Sequence, residues 1–349
     1  MTIGTGVSLG YRSIFAMISE AAYGTQTATA ATGASYFEAT SFGMKKEIEE
    51  MKSEEINTTR SYTRRFQMNS SIAGGVEKDL HPVDGIPLLL HALGGTCSPA
   101  GTTATGITHT ITPDETNLVK AGAAGATTIT SLSLLGRKGD ERAYKYTGCR
   151  VGQMTVTGEI GSPIKVAYDI SGQAGTAATA TLTDTAVSFS TIRPFLFKDV
   201  EFQYASTTAL LTSTVEEQLV GFELTVNNNL DSDQRALGQD TVVDLPAGMR
   251  DVSLKLTMRC DTTTAYDRFT SGEYGAAKII LTSAEAMTTG VYYKLSFEMP
   301  KVYWNNADPE IGETGVIQIE PELTCIRGEL SGTTGYDIKA ELVNLTASY

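Results

Sequence analysis

The sequence predicts an all-β protein with minor α structure, built as two tandem β-sandwich domains. Three observations support this fold class. Apolar and polar residues alternate in short segments of both halves of the chain, which is the pattern of half-buried antiparallel strands. Only 19% of the 349 residues are charged and 34 are glycine, a composition that suits strands and turns better than helices. Helix signals are confined to a few short segments.

Alternation predicts the strands of the first half. Val151–Ile160 and Ile164–Ile170 interleave apolar residues with threonine and charged residues. The Gly-Ser-Pro sequence at Gly161–Pro163 lies between them and is typical of a tight turn, so the two segments form a predicted hairpin. A longer strand is predicted over Phe66–Leu80.

The second half carries the same pattern. Val252–Met258 alternates four apolar residues with serine, lysine and threonine, and Tyr293–Met299 alternates with lysine, serine and glutamate. Ile317 and Ile319 continue the alternation beside Glu320. We expect each segment to be a half-buried antiparallel strand.

Two short helices are predicted. Gly85–Gly94 has a proline in its first turn, good helix formers inside and a glycine at its end. Thr264–Ser271, with Tyr266 and Phe269 three residues apart, is its expected counterpart. Glu47–Glu55 also permits a helix, but it lies between strand patterns, so we interpret it as a solvated polar excursion.

The order of features indicates an internal duplication. A strand, a polar excursion, a further strand, a short helix and then more strands follow one another in each half. The Ala/Gly/Thr-rich segment between the halves is the natural boundary. We therefore predict a first domain over residues 1–175, a linker over 176–192 and a second domain over 193–349.

Charge and composition exclude several classes of protein. The net charge of −13 disfavours binding through neutralised nucleic-acid phosphates. There is no secretory signal pattern and no apolar run of the ~20 residues that a membrane-spanning helix needs. We expect a soluble chain kept inside the cell that makes it, with its four scattered cysteines reduced.

No constellation of residues predicts catalysis, a cofactor or a metal. The three histidines lack zinc-site spacing, and a P-loop motif is absent from the sequence. Asp231–Asp233 is better explained as a turn than as a calcium loop. Arg60, Arg64 and Arg65 follow an acidic run, and such a self-complementary loop can pair with another copy in a repeating assembly. We predict that the protein is not an enzyme.

Several segments of the first half together resemble a known family. Glu20–Thr25, Phe42–Glu50, Ser53–Arg60 and Ser71–Leu80, which leads into the helix at Ile86–Leu93, are similar to segments of the tail tube (major tail) proteins of long non-contractile-tailed bacteriophages. The resemblance covers Gly10–Gly95 in pattern, and it is only architectural over Phe195–Ile326.

The resemblance implies an architecture and a set of partners. Each tube domain is a β-sandwich flanked by a short helix, and the inner strands of six domains join into one ring-wide β-barrel. Rings stack into a tube through which double-stranded DNA passes without specific binding. Two units per chain imply trimeric rings with pseudo-sixfold symmetry. The implied partners are the chain itself and the tail tip or initiator, tape measure and tail terminator proteins, in the virion tail and in the host cytoplasm during assembly.

A DNA conduit favours an acidic wall, because lysine and arginine contacts would hold the phosphates. The polar faces of the candidate inner strands carry eight acidic residues against four basic ones, Lys165, Lys255, Arg259 and Lys294, and Lys255 and Arg259 lie on the same strand. The lumen-facing candidates are Glu77, Asp79, Glu159, Asp169, Asp251, Glu298, Glu320 and Glu322.

Two long polar connections, Lys45–Arg65 and Asn228–Gly248, are expected to reach along the axis to the adjoining ring. If stacking alone orders them, free protein stays soluble until an initiator captures it. The inter-ring candidates are Lys45, Glu47, Glu49, Glu50, Glu54, Glu55, Arg60, Arg64, Arg65, Asp231, Asp233 and Arg235.

Two alternatives remain open at this point. Another structural β-rich virion protein, such as a capsid decoration or coat subunit, would share the composition and the alternation. A carbohydrate-binding or hydrolytic β-sandwich would usually display several aromatic side chains, whereas this chain has a single tryptophan, Trp304.

Overall fold

The computed structural model describes residues 10–20, 22–25, 34–56, 58, 61–113, 131–139, 143–177, 182, 189–211, 218–260, 264–288, 290–308, 317–328 and 335–347. In the first half it contains β1 (Ile14–Glu20), β2 (Ser35–Phe37), β3 (Ser41–Phe42), β4 (Lys45–Lys52), β5 (Arg65–Asp79), α1 (Ile86–Leu93), β6 (Gly95–Thr102), β7 (Gly106–Pro113), β8 (Ser131–Arg137), β9 (Ala143–Glu159), β10 (Lys165–Gly172) and β11 (Ala174–Ala177). In the second half it contains β12 (Val200–Ala205), β13 (Leu219–Asn227), β14 (Asp251–Arg259), α2 (Thr264–Ser271), β15 (Gly275–Thr288), β16 (Val291–Asn306), β17 (Gln318–Ile319), β18 (Glu322–Ile326) and β19 (Lys339–Asn344).

One antiparallel sheet, the main sheet, runs through both halves of the chain. Its strands lie in the order β4, β5, β10, β9, β13, β14, β18, β16. β3 continues β4 along β5, and β17 continues β18 along β14. The β9–β13 pairing joins the two halves.

The remaining strands attach to the two long strands β9 and β16. β8 and β11 pair with β9, β1 pairs with β8, and β2 pairs with β1. β15 and β19 pair with β16, and β12 pairs with β15. β19 also pairs with β7, which pairs with β6. The β7–β19 pairing is therefore a second connection between the halves.

Burial alternates along the main sheet as the sequence pattern predicts. Val252, Leu254 and Leu256 of β14 are buried, while the residues between them face outward. Leu224 of β13 and Val156 of β9 belong to the same continuous core. Burying each such side chain contributes roughly 1.5–3 kcal/mol, so one shared core holds both halves together.

Both predicted helices are confirmed. α1 begins after Gly85 and ends before Gly94, and both glycines adopt left-handed conformations, with φ of 76° and 61°. Pro87 lies in the first turn, where its missing N–H leaves no helical hydrogen bond unmade. α1 is almost entirely buried and packs on β9, whereas α2 buries Ala265 and packs on β16.

The same order of strand pairing occurs twice. In the first half the order is β1, β8, β9, β10, β5, β4, and in the second it is β12, β15, β16, β18, β14, β13. β11 lies on β9 as β19 lies on β16, and each half has one short helix after the long strand β5 or its counterpart β14.

The all-β fold class with minor α is confirmed, and one interpretation needs correction. The segment Glu47–Glu55 does not form a loose excursion, because its first residues belong to strand β4, paired with β5. The division into domains at 176–192 stays a prediction, and most of that segment lies outside the described residues. Within the described part of the chain, neither helix is long and apolar enough to cross a membrane.

Candidate functional site

The outward face of the main sheet, the polar face, is a continuous surface of polar side chains. It arises because every second residue of its strands points away from the core. One row of opposed residues crosses the sheet in the order Asp79, Lys165, Thr157, Glu223, Lys255, Glu322. Charges of opposite sign therefore lie beside each other at both ends of the row, which favours this register.

Neighbouring rows of the polar face are rich in hydroxyl and amide groups. One row runs Glu77, Ala167, Thr155, Thr225, Ser253, Thr324. The next runs Gly75, Asp169, Gln153, Asn227, Asp251. The centre of the face thus offers neutral hydrogen-bonding groups, with carboxylates distributed around them.

The charge of the polar face is net acidic. Lys255 donates to Glu320 across 3.1 Å. The hydrogen bond and charge of Glu320, with the charges of Glu223 and Glu322, raise the pKa of Lys255. From β5 across to β18 the face carries eight acidic residues, Glu77, Asp79, Glu159, Asp169, Glu223, Asp251, Glu320 and Glu322, against three basic residues, Lys165, Lys255 and Arg259. Lys301 of β16 adds a further basic residue, and β4 adds one of each sign, Lys45 and Glu47.

Seven of the eight lumen-facing candidates lie on the polar face, and Glu298 does not. It is buried in β16, with 9% of its surface exposed. Lys278 and Lys339 lie 3.1 and 3.2 Å from its carboxylate, and the Tyr336 hydroxyl donates to it across 2.6 Å. Burial opposes ionisation, but the Tyr336 hydrogen bond and the two lysines outweigh it and lower the pKa of Glu298.

Sequence reasoning missed Glu223 on the polar face. It lies between Phe222 and Leu224, which are buried, and opposite Lys255 on β14. The alternation over residues 222–226 is the signal that could have identified it.

The second candidate surface is a projecting ribbon, the β4–β5 arm, formed by residues 45–52 and 65–69. Every residue of β4 is exposed, and so are the first four of β5, so this part of the hairpin extends beyond the core. Arg65 pairs with Glu50 at 3.1 Å and Arg64 with Glu55 at 3.3 Å. The acidic and basic segments of this connection thus pair within one chain. Exposed pairs of this kind add little stability.

The β4–β5 arm also exposes apolar side chains. Met51 and Phe66 are opposed across the two strands, with 50% and 44% of their surfaces exposed. Ile48 and Met68 are similarly exposed on the arm, and Ile56 and Tyr62 are exposed in the turn at its end. A cluster of exposed apolar residues on a projecting element is typical of an interaction surface.

The Asn228–Gly248 connection is arranged differently. Arg235 donates to the carbonyl oxygens of Ser70 and Asp240 at 3.2 and 2.8 Å. The Ser70 amide donates to the same Asp240 carbonyl at 2.8 Å, and Leu245 is fully buried. This connection therefore contacts the base of the arm through Arg235 and Asp240, while most of residues 231–240 are exposed to solvent. Asp231 and Asp233 are exposed on its surface.

The remaining inter-ring candidates of the first connection lie on or beside the arm. Lys45, Glu47 and Glu49 are exposed on β4, with Lys45 and Glu47 paired at 2.5 Å. Glu54 is exposed in the turn, and Arg60 lies outside the described residues. In the part of the chain that the structure describes, no group of histidine, cysteine or acidic residues is arranged to bind a metal.

Comparisons with known proteins identify the family. A family model described as phage tail tube protein matches residues 10–325, and the chain therefore belongs to the phage tail tube protein family. No curated protein matches it. Among solved structures, the SPP1 tail tube has 11% identity and a TM-score of 0.31, covering 44% of this chain and 82% of its own. An Hcp protein has 12% identity and a TM-score of 0.22, covering 36% and 86%.

Proposed function

We propose that three copies of this structural, non-enzymatic tail tube protein form each ring of a hollow tail, with the polar face turned towards the lumen. The observation that carries the proposal is the main sheet, which passes without interruption through both halves of the chain. A sheet with one polar and one buried face suits the wall of a water-filled channel.

The repeated order of strand pairing supports a trimer of duplicated units. If each half supplies one tube unit, with the division at residues 176–192, three chains provide six similar units around the ring. The pseudo-sixfold arrangement then follows from the chain itself. The described edges of the main sheet, at β4 and β16, are used by pairing with neighbouring copies, which removes exposed sheet edges.

An acidic, hydroxyl-rich lumen suits the passage of DNA. Contacts between basic side chains and phosphates release counterions and add affinity, which would slow a moving duplex. On the polar face, Lys165 lies opposite Asp79, and Lys255 is paired with Glu320. Their charges are thus largely balanced locally, and the unpaired acidic residues repel phosphate.

The part of the β4–β5 arm beyond Glu47 contacts the adjoining ring, and Lys45 and Glu47 lie at the sheet edge that pairs within the ring. Its exposed apolar residues become buried on stacking, and the Asn228–Gly248 connection supports the base of the arm through Arg235. Because the arm is already paired as strands, stacking does not have to order a loop. The favourable contribution to stacking is the burial of apolar surface.

The remaining partners follow from the place of a tube in a tail. We propose that a tail tip or initiator complex nucleates the first ring, a tape measure protein occupies the lumen during growth, and a terminator closes the tube. Assembly takes place in the host cytoplasm, and double-stranded DNA later passes through the lumen without specific binding.

Negative-stain electron microscopy of concentrated, mildly warmed protein, with native mass measurement, tests this proposal. Hollow tubes of stacked rings with three chains per ring are expected. Six chains per ring would keep the tube and reject the trimer of duplicated units. Shells decorated by monomers would reject the tube.

A further inference from the structure

The long strands β9 and β16 share two irregularities at the same spacing. In β9, the pairing with β8 changes register between the β8 residues Leu132 and Leu134. The pairing of β9 with β10 changes register between the β10 residues Asp169 and Ile170. In β16, the pairing with β15 changes register between the β15 residues Gly275 and Ala277. The pairing of β16 with β18 changes register between the β16 residues Trp304 and Asn306. Bulges are specific structural features, so they fix how the strands correspond. Aligning them places Asn305 of β16 at the position of Gly152 of β9.

This correspondence identifies a strand edge that is filled in one half and open in the other. Beyond Gly152, one edge of β9 pairs with β10 and the other edge pairs with β13, beginning at Gln153 opposite Asn227. Beyond Asn305, one edge of β16 pairs with β18. Among the described residues, no strand pairs with its other edge at Asn306–Asp308.

The matching open edge lies on β4. β13 has two partners, β14 and β9, and its counterpart in the repeated order is the β3–β4 segment, which pairs with β5. Within the described chain, no strand covers the other edge of β4. Within the main sheet, the two halves of the chain thus pair through β9 and β13. The two strand edges that correspond to this pairing, on β4 and at the end of β16, lie open at opposite ends of the sheet.

We infer that β4 of one copy pairs antiparallel with the end of β16 in the neighbouring copy, in the same register as the β9–β13 pairing. This inference rests on the proposed function and specifies the ring contact. Transferring the register places Glu47 opposite Asn306 and Lys45 opposite Asp308. The contact is head-to-tail, so it closes into a ring when the rotation between copies permits.

Charge at the two edges agrees with this register. A depression beside the end of β16 is lined by Asp308, Glu320 and Glu322, together with Lys255. On this face β4 presents Lys45, which pairs with Glu47 at 2.5 Å in the free chain, so the inferred register brings the Lys45 ammonium beside Asp308 of the acidic depression. Opposed charges across an antiparallel pair stabilise the pairing and select its register.

Disulfide trapping in assembled tubes tests the register. Opposed residues of antiparallel strands have Cα atoms about 4.5–5.5 Å apart, within disulfide range. Oxidised tubes of Lys45→Cys/Asp308→Cys should give a covalent ladder on a denaturing gel that ends at the ring size. The matched control, Lys45→Cys/Asn306→Cys, is diagonal on the same face, about 7–8 Å apart, and should give at least tenfold less ladder. Wild-type protein reports any background from the native cysteines.

Charge reversal provides an independent measurement. Lys45→Asp and Asp308→Lys should each raise the concentration needed for assembly, and the double reversal should restore it towards the wild-type value. Tubes that form normally but give no Lys45–Asp308 ladder would overturn the register and leave the proposed function standing. Wild-type protein that decorates shells instead of forming rings or tubes would overturn both.

Discussion

The Arg150 guanidinium, fully buried in β9, lies 3.2 Å from the carboxylate of Asp244 in the Asn228–Gly248 connection. The same guanidinium donates to the Leu245 carbonyl and stacks 4.9 Å from the centre of the Tyr23 ring. A buried cation from the first half therefore anchors a connection from the second half. Burial lowers the pKa of Arg150, while the charge of Asp244 favours its ionised form.

Removing the Asp244 charge should destabilise the fold. In Asp244→Asn the buried guanidinium loses its counter-charge, and breaking such a pair costs about 3 kcal/mol or more. Urea denaturation of the unassembled protein measures the change in the free energy of unfolding. Asp233→Asn, in the same connection but 91% exposed in its side chain, should change it by less than about 0.5 kcal/mol. Equal effects of the two variants would contradict the role assigned to Arg150.

The buried Glu298 cluster should make stability depend on acid pH. Because the pKa of Glu298 is lowered in the folded protein, its contribution is present above the unfolded pKa and is lost as the pH falls through the folded value. Glu298→Gln should be less stable than wild type at pH 7, and the difference should shrink as the pH falls below the ordinary range of a glutamate. Melting temperatures across that range test this, with the exposed Glu322→Gln as control. A difference independent of pH would refute the ionic origin.

Reversing acidic residues of the polar face should make the tube bind DNA. Glu77→Lys/Asp169→Lys/Glu223→Lys changes exposed side chains, so folding and ring formation should persist. Tubes of this variant should cosediment with short duplexes, with an affinity that falls steeply as salt rises. Wild-type tubes and tubes of Glu273→Lys, which lies after α2, should not retain DNA. Absence of DNA from the triple-variant tubes would exclude this face as the lumen wall.

The apolar residues of the β4–β5 arm should control tube growth without affecting folding. Met51→Ser/Phe66→Ser removes two opposed and exposed side chains, so the free energy of unfolding should stay within about 0.5 kcal/mol of wild type. Loss of about 1.5 kcal/mol of burial on stacking would raise the protein concentration required for tubes at least about tenfold. Light scattering measures that concentration.

The arm experiment has its own control in Tyr11→Ser, which removes an exposed aromatic residue from another part of the surface. This variant should assemble at the wild-type concentration. If Met51→Ser/Phe66→Ser also does so, the arm has no role in stacking.

Periodic segments could be predicted from the sequence because their signal is local. The alternation over Val252–Met258 specifies a strand with one buried face wherever the segment is placed, and β14 is that strand. The proline and flanking glycines of α1 likewise specify its start and end. Seven of the eight acidic lumen candidates lie on one face for the same reason, because they occupy the alternate positions whose side chains point away from the core.

Other features depend on residues far away in the chain. Glu298 alternates with the apolar residues of β16, as a solvent-facing position would, but Lys278, Lys339 and Tyr336 enclose it. β4 has no buried residue, so no hydrophobic period marks it as a strand, and its conformation depends on pairing with β5.

The sequence by itself determined the alternating strands, both helices and the excess of acidic side chains on one face. Only the tertiary structure decided which edges are filled, that β13 covers β9, and that the corresponding edge of β16 has no strand partner among the described residues. The physical reason is that side-chain direction along a strand follows from a period of two residues, whereas backbone hydrogen bonds at a sheet edge can be satisfied by any strand that the rest of the fold brings there.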